Sequence, residues 1–474
     1  MSAAEALRRS RTSDAPRGAD GIIVTRCRWA RLGAADGGGG HLPPAAPVPP
    51  ASPGTVEEQV VFPQQPGGLD WLLGPAASQV EQDDDAFQVS VYAPADAGPA
   101  APVVVFLPGG GYVSGGASLR WYDASELARA TGAVVVVPAY RLGAAACFTP
   151  GADGTVAAVA DAIAAVEWAL THAARFGGNP ADVTLAGQSA GAWLAFAAAQ
   201  DPALAGRIRR LALYSLPYQP PPGPEGSTAR RRVFAEALGG AAAGDAAALL
   251  AATAEVNRAW AGRGLGAQPL AGGRLRADVQ DWPAAVDRLL GVEQVILATT
   301  ADEARAFIPP AAAAGLPGPA ADGFRAAHFA RPAERPAGGT PWERMTADMT
   351  EYQFASAARE LAAQVRAAGV PVHVSRLDVE AAPDGAGAAH CFDLPFLFAN
   401  RAQWYDAPMV AEIPADAFGA IAAAWREPLV RCLSGELVTT APGEVRAVGC
   451  VGGVVRVEEV PDPASGEPIR RAGP

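Results

Sequence analysis

The sequence predicts an α/β protein in which helices cover both faces of a mostly parallel central sheet. One observation is a pair of continuous β-branched runs at residues 103–107 and 134–137, as expected for strands that are buried on both faces. The other is the alternation of such runs with helical patterns through the middle of the chain. This β-α-β-α order indicates parallel strands joined by helical crossovers.

The individual elements follow in chain order. A short strand is predicted at residues 21–25, and the alternating residues 87–92 predict a half-buried edge strand. Apolar residues at helical spacing predict a long helix at 157–175. The remaining predictions are a helix around 122–131, a strand at 182–186 with a helix after it, strands at 210–214, 295–298 and 372–375, and a helix at about 353–368.

The 474 residues contain no evident repeat and no clear linker, so residues 21–474 are predicted to form one domain. Residues 1–20 are expected to form a flexible N-terminal tail. The stretch near 33–57 is rich in Pro and Gly, and we expect a loop there.

Composition excludes several classes of function. The net charge of −12 argues against non-specific nucleic-acid binding. Five widely spaced cysteines without a C-x-x-C pair favour a reducing compartment over a disulfide framework or a zinc site. Neither a secretory signal nor an apolar stretch of about 18 residues is evident. We therefore expect a cytoplasmic protein without a membrane span, with a monomer favoured.

A serine on a strand-to-helix turn is the strongest chemical signal. Gly187-Gln188-Ser189-Ala190-Gly191 follows an apolar β-type run and precedes a strong helix former. Small residues two positions before and after the serine allow strand and helix to pass closely, and the turn exposes the hydroxyl. By itself the G-x-S-x-G pattern is weak in a chain with 53 glycines, so partner residues must support it.

A serine nucleophile needs a base, which is usually a histidine oriented by an acid. Of the five histidines, His390 alone lies in a turn-rich segment beyond a late strand, where this architecture places a base. Asp302 and Glu303 both follow the strand predicted at 295–298, and either carboxylate would reach the same rim of the sheet. A carboxylate at this position also suits the N-terminus of the next helix.

The glycine run 109–111, directly after the first buried strand, predicts an oxyanion hole. Glycine lets the backbone approach a substrate carbonyl without interference from a Cβ atom. A phosphate-binding loop is the alternative, but no Lys-Ser/Thr follows and no G-x-G-x-x-G pattern opens a helix.

With these residues placed, the chain resembles the type-B carboxylesterase family, which has the α/β-hydrolase fold. The resemblance implies Ser189 as nucleophile, Glu303 as acid and His390 as base. It further implies that Gly110, Gly111 and Ala190 donate the oxyanion-hole N–H groups. The matching segments span roughly residues 80–430: SVYAP at 90–94, PGGGY at 108–112, VVVVPAYRLG at 134–143, DAIAAVEW at 161–168, FGGNPADVTLAGQSAG at 176–191, Asp302-Glu303, and HCFDLPFLF at 390–398.

Departures from the family pattern bear on substrate choice. Gln188 replaces the Glu that usually precedes the nucleophile, which removes a negative charge that helps cationic substrates. Cys391 replaces a Gly after the histidine, and Pro108 stands where His commonly precedes the glycines. We assign Gln188 and Tyr112 to substrate binding.

The sequence therefore predicts a serine carboxylic-ester hydrolase that acts on neutral small-molecule esters through an acyl-enzyme. No metal or organic cofactor is expected, because the nucleophile, base and oxyanion donors are all protein groups. Two alternatives stay open. The same triad could serve an acyltransferase, a lactone hydrolase or a carbamate hydrolase, or the fold could belong to a catalytically silent binding protein.

Overall fold

The computed structural model describes residues 21–28, 59–241, 245–329, 339–380 and 385–462. The predicted tail at 1–20 and the predicted loop near 33–57 lie outside these residues. The described strands are β1 (Ile22–Arg28), β2 (Val60–Val61), β3 (Glu81–Gln82), β4 (Gln88–Pro94), β5 (Ala101–Leu107), β6 (Val134–Pro138), β7 (Gly178–Gln188), β8 (Arg210–Tyr214), β9 (Gln294–Thr300), β10 (Val372–Leu377), β11 (Glu444–Val451) and β12 (Val454–Pro461).

The described helices alternate with these strands, and short 3-10 turns connect several of them. They are α1 (Asp70–Leu73), α2 (Ser125–Thr131), α3 (Gly143–Phe148), α4 (Ala157–His172), α5 (Ala190–Ala199), α6 (Pro224–Leu238), α7 (Ala246–Ala259), α8 (Trp282–Asp287), α9 (Gly318–His328), α10 (Pro341–Thr350), α11 (Ser356–Ala367), α12 (Leu394–Phe398) and α13 (Ala415–Leu433).

Ten strands form one mixed, mostly parallel sheet in the order β1-β4-β6-β5-β7-β8-β9-β10-β11-β12. The run from β6 to β11 is parallel, whereas β1, β4 and β12 pair in antiparallel fashion with their neighbours. The mostly parallel sheet predicted from the sequence is therefore confirmed. One sheet includes strands from residue 22 to residue 461, in keeping with the single domain over 21–474, which stays a prediction.

The centre of the sheet is the most deeply buried part of the fold. Every residue of β6 is buried, so both of its faces are covered, as the unbroken β-branched run required. Burial of each Val or Leu side chain there stabilises the fold by about 1.5–3 kcal/mol. The strand β7 lies between β5 and β8 in this buried centre and ends at Gln188, so it carries the following residue to the carboxyl edge of the sheet.

One strand prediction was wrong in its position. The alternation at residues 87–92 predicted a half-buried edge strand, but β4 is buried along nearly its whole length. The physical reason is that β1 pairs with its outer edge, from Ile22 with Pro94 to Arg28 with Gln88, so β4 is an interior strand.

Candidate active site

Ser189 occupies a strained turn between β7 and α5. Its backbone has φ 56° and ψ −124°, a combination that non-glycine residues rarely adopt and that is associated with functional sites. The Ser189 N–H donates to the carbonyl of Tyr214 at the end of β8, at 2.9 Å. Because α5 begins at Ala190, its free N–H groups and positive dipole end face the serine.

The small residues on both sides of Ser189 are required by contact with backbone. A Cβ atom on Gly191 would lie 2.0 Å from the carbonyl oxygen of Leu107. A Cβ atom on Gly187 would lie 2.4 Å from the carbonyl oxygen of Gly191. The close approach of strand and helix that the sequence motif implied is therefore present in the fold.

This contact predicts a large stability effect for Gly191→Ala. We expect the free energy of unfolding to fall by about 3 kcal/mol or more, since the added methyl group meets backbone that cannot move aside. Urea unfolding of the wild type and the variant measures the change. Gly419→Ala is the matched control, because Gly419 lies in α13 with open space around its Cβ position. That control should be neutral or slightly stabilising. An unchanged unfolding midpoint for Gly191→Ala would contradict the packing described here.

Glu303 and His390 are in direct contact although 87 residues separate them. Glu303 Oε2 lies 2.5 Å from His390 Nδ1, and both side chains are buried. The other carboxylate oxygen, Oε1, accepts a hydrogen bond from the backbone N–H of Thr300, the last residue of β9, at 2.9 Å. Glu303 is therefore fixed at the carboxyl end of its strand and orients the imidazole.

Asp302 faces away from the imidazole. Its carboxylate forms an ion pair with Arg305 at 3.0 Å and accepts a hydrogen bond from the N–H of Ala388 at 3.1 Å. Of the two acids that the sequence left open, the structure thus places Glu303 at the histidine. Asp302 instead connects the segment after β9 to the loop that carries His390.

The surroundings of His390 shift its pKa in opposite directions. Burial lowers the pKa of the imidazole, whereas Cys391 and the Glu303 carboxylate raise it, and the net pKa lies well above the usual 6.5. The contact with Glu303 explains why the pKa of His390 is raised, because a carboxylate stabilises the imidazolium. The buried Asp393 carboxyl lies close by, and burial together with the charge of Glu303 raises its pKa to about 7.

Two aromatic side chains that the sequence reading missed enclose the imidazole. The rings of Phe307 and Phe354 each lie 5.1 Å from the His390 ring, centroid to centroid. Phe354 belongs to a single π-helical turn at Glu351–Ala355, between α10 and α11. Such turns are frequent at functional sites, but no local sequence pattern predicts them.

The glycine loop after β5 has the backbone conformations that favour glycine, with φ 125° at Gly110 and φ 59° at Gly111. Two buried tyrosines hold the start of this loop: the hydroxyl of Tyr140 donates to the carbonyl of Pro108 at 2.6 Å, and the Gly109 N–H donates to the hydroxyl of Tyr122 at 3.1 Å. Within the described residues, the three N–H groups of the predicted oxyanion hole donate to no protein acceptor: those of Gly110, Gly111 and Ala190.

The two predicted substrate-binding side chains are both buried. Gln188 Nε2 lies 3.3 Å from His390 Nε2 and donates to Cys391 Sγ at 3.4 Å. Tyr112 packs edge-on against Trp193 with ring centroids 5.9 Å apart. Gln188 thus contacts the predicted base, and a contact of either side chain with substrate stays a prediction.

The Ser189 hydroxyl makes no hydrogen bond to any residue that the structure describes. Nε2 of His390 instead faces the Gln188 amide. Catalytic hydrogen bonds are often long or misaligned without substrate and tighten when the substrate binds. Ser189 is partly exposed and directly follows Gln188, whose amide contacts the imidazole that Glu303 orients.

A cavity of about 1050 Å³ lies beside this group of residues. Phe307 and Phe354, which contact His390, form part of its wall. Leu265 of the same wall lies 3.9 Å from the Cβ position of Gly111 in the glycine loop. The cavity is large enough for a small organic molecule.

A partly exposed serine at a strand-to-helix turn, a Glu–His pair and unpaired N–H groups define a serine hydrolase. The sequence profile of the carboxylesterase family matches residues 54–230. A probable N-octanoylanthranilate hydrolase of Rhodococcus erythropolis is 32% identical over 370 residues, which cover 74% of this chain and 76% of that protein. The phenmedipham hydrolase of Pseudarthrobacter oxydans is 28% identical over 387 residues, covering 75% of this chain and 74% of the relative. The chain belongs to the carboxylesterase family.

Solved structures support the α/β-hydrolase fold. A thermophilic PNB esterase superposes with a TM-score of 0.73 at 22% identity, covering 94% of this chain and 95% of that one. The carboxylesterase of Geobacillus stearothermophilus gives a TM-score of 0.70 at 22% identity, over 93% of this chain and 94% of the other. Among the described residues, no helix combines the length and apolar character needed to cross a membrane.

Proposed function

We propose that this serine hydrolase cleaves carboxylic esters through an acyl-enzyme formed on Ser189. The observation that carries the proposal is the Glu303–His390 contact of 2.5 Å beside the strained serine turn. A histidine oriented in this way is the base that a serine hydroxyl needs. The finer assignment of each role rests on this geometry together with the family resemblance.

In the proposed reaction, His390 removes the proton of Ser189 as Oγ attacks the ester carbonyl. The N–H groups of Gly110, Gly111 and Ala190 stabilise the resulting oxyanion, and each such donor is typically worth roughly 10²–10³ in rate. His390 then protonates the leaving alcohol as the C–O bond breaks. Water, activated by the same histidine, cleaves the acyl-enzyme and returns the serine to its starting state.

Labelling with a fluorophosphonate tests this proposal. We expect one covalent adduct at Ser189 in the wild type, located by peptide mass spectrometry, and none in Ser189→Ala. A folded wild-type chain that resists the probe would favour the catalytically silent alternative instead.

Cleavage of an N-acyl bond is a second candidate reaction, because the name of the Rhodococcus relative denotes an octanoyl group on nitrogen. The same residues would serve, with an amine as the leaving group. Turnover of matched octanoyl esters and octanoyl anilides distinguishes the two. An ester hydrolase should strongly prefer the ester.

The neutral Gln188 beside the nucleophile predicts discrimination against cationic substrates. We expect 3,3-dimethylbutyl acetate to be hydrolysed with a higher kcat/KM than its cationic isostere, acetylcholine. Gln188→Glu should move the ratio towards the cationic ester by about tenfold or more, because opposite charges a few ångströms apart attract strongly in a partly buried site. Gln188→Met is the uncharged control. A wild-type preference for acetylcholine that Gln188→Glu leaves unchanged would show that other residues recognise substrate charge.

A further inference from the structure

The cavity of about 1050 Å³ beside the catalytic residues has an uneven distribution of charge. Three arginines line it, Arg230, Arg231 and Arg263, and no Asp or Glu is among its described lining residues. This contrasts with a net charge of −12 for the whole chain. The positive charge of the cavity is therefore a local feature and not a consequence of composition.

Of the three arginines, Arg230 is buried, and its partners are unusual for a charged group. Arg230 is only 7% exposed, and its guanidinium donates to three backbone carbonyls, those of Gly226, Leu265 and Gly266, at 3.1–3.3 Å. It also lies over the ring of Trp260 at 4.6 Å. Carbonyl groups satisfy N–H donors but leave the positive charge unneutralised, and buried charges are normally paired.

A second guanidinium shares the same ring. Arg263 lies 5.8 Å from the centroid of Trp260. Burial, followed by the charge of Arg263, lowers the pKa of Arg230 to about 10, so that Arg230 remains positive at neutral pH. Within the described part of the chain, no carboxylate pairs with Arg230, Arg231 or Arg263. Two like charges at one aromatic ring would be stabilised by an anion between them.

Leu265 contacts both the buried Arg230 and the glycine loop at 109–111. The carbonyl of Leu265 accepts from Arg230, and the Leu265 side chain lies beside the Cβ position of Gly111. Leu265 thus lies between the glycine loop and Arg230, so a substrate whose ester carbonyl reaches the N–H groups of Gly110 and Gly111 can extend towards the arginines. The aromatic rings of Phe307 and Phe354 line the same cavity near His390 and suit the apolar part of such a molecule.

We propose that the preferred substrates are esters that carry a carboxylate remote from the scissile bond, and that Arg230, Arg231 and Arg263 bind this carboxylate. This inference rests on the proposed ester hydrolysis at Ser189 and specifies its substrate class. It replaces the expectation of an uncharged substrate by that of an anionic one. Guanidinium groups are well suited to this role, because their planar N–H donors match the geometry of a carboxylate.

The test compares two esters that differ only in the remote charge. Mono-p-nitrophenyl adipate carries a free carboxylate, whereas p-nitrophenyl methyl adipate is its uncharged analogue, and suberate and sebacate pairs extend the reach. We expect wild-type kcat/KM to favour the carboxylate ester by about tenfold or more in at least one pair. High salt should reduce this preference, since the exposed arginines are screened.

Arg231→Gln and Arg263→Gln probe the two exposed arginines without removing the backbone contacts of Arg230. The double variant should lose the preference for the carboxylate ester, measured as the ratio of kcat/KM for the two esters of each pair. Arg232→Gln is the matched control: Arg232 is adjacent in sequence, 70% exposed and paired with Glu236 outside the cavity lining. This variant should retain the preference.

The outcomes separate the two proposals. A wild type that cleaves the methyl ester as well as or better than the carboxylate ester in every pair overturns the inference while the ester-hydrolase function stands. A preference that survives in the double variant also overturns it. If neither ester is cleaved and the fluorophosphonate leaves Ser189 unlabelled, the proposed function fails, and the inference fails with it.

Discussion

Replacement of Ser189 by Ala is expected to lower kcat/KM for p-nitrophenyl esters by about 10⁴-fold or more, with the fold unchanged. The substitution removes only the hydroxyl group. The strained turn remains because it is held by backbone contacts. The Ser189 N–H bond to Tyr214 and the close packing of Gly187 and Gly191 do not involve the hydroxyl. Steady-state kinetics with a circular dichroism spectrum of each protein measures both effects.

Ser215→Ala is the control for this comparison. Ser215 follows the adjacent strand β8, has φ 49°, and is fully buried with a hydroxyl that has no partner in the described structure. Like Ser189, it follows a strand of the parallel sheet with a positive φ, but its side chain is fully buried. We expect its variant to stay within a few-fold of the wild type. Retention of more than a tenth of the activity by a well-folded Ser189→Ala protein would rule out Ser189 as the nucleophile.

The parallel centre of the sheet could be predicted because each strand there is buried on both faces. Unbroken β-branched runs such as that of β6 have no other common explanation. The helix α6 was missed for the opposite reason: its only buried residue is Arg230, so it presents no apolar period that a sequence reading could detect. The hairpin of β11 and β12 was also missed, and most residues of β12 are exposed.

Some residues of the candidate site could likewise be predicted from the sequence, and others could not. Ser189, Glu303 and His390 each follow a strand, and the carboxyl ends of parallel strands converge, so their proximity could be anticipated from order alone. The aromatic contacts of His390 could not, because Phe354 is positioned by a π-helical turn. The arginines of the cavity were equally hidden, since α6 and the segment around Arg263 lie far from the catalytic motifs in sequence.

Glu303→Gln is expected to reduce kcat by up to about 10⁴-fold, as the loss of a triad acid does when it leaves histidine in the wrong tautomer. The Glu303 carboxylate accepts from His390 Nδ1 and from the N–H of Thr300. A glutamine keeps one acceptor oxygen but places an NH₂ donor where a second acceptor is needed, so one of these two contacts is lost. The negative charge that raises the pKa of His390 also disappears, and the acidic limb of the pH–rate profile should move to lower pH.

Asp302→Asn is the matched comparison, because the two acids are adjacent in sequence and only one reaches the imidazole. An asparagine at 302 can still accept from the Ala388 N–H and loses mainly the ion pair with Arg305, a partly exposed pair worth about 0–1 kcal/mol. We expect kcat to stay within about tenfold of the wild type and the pH–rate profile to keep its position. Both variants are measured by kcat over a range of pH on one ester. A general loss of folding would lower kcat in either variant without moving the pH–rate profile. A shift of the profile that occurs in Glu303→Gln and not in Asp302→Asn therefore identifies Glu303 as the acid that orients His390. The reverse ranking of the two variants would transfer that role to Asp302.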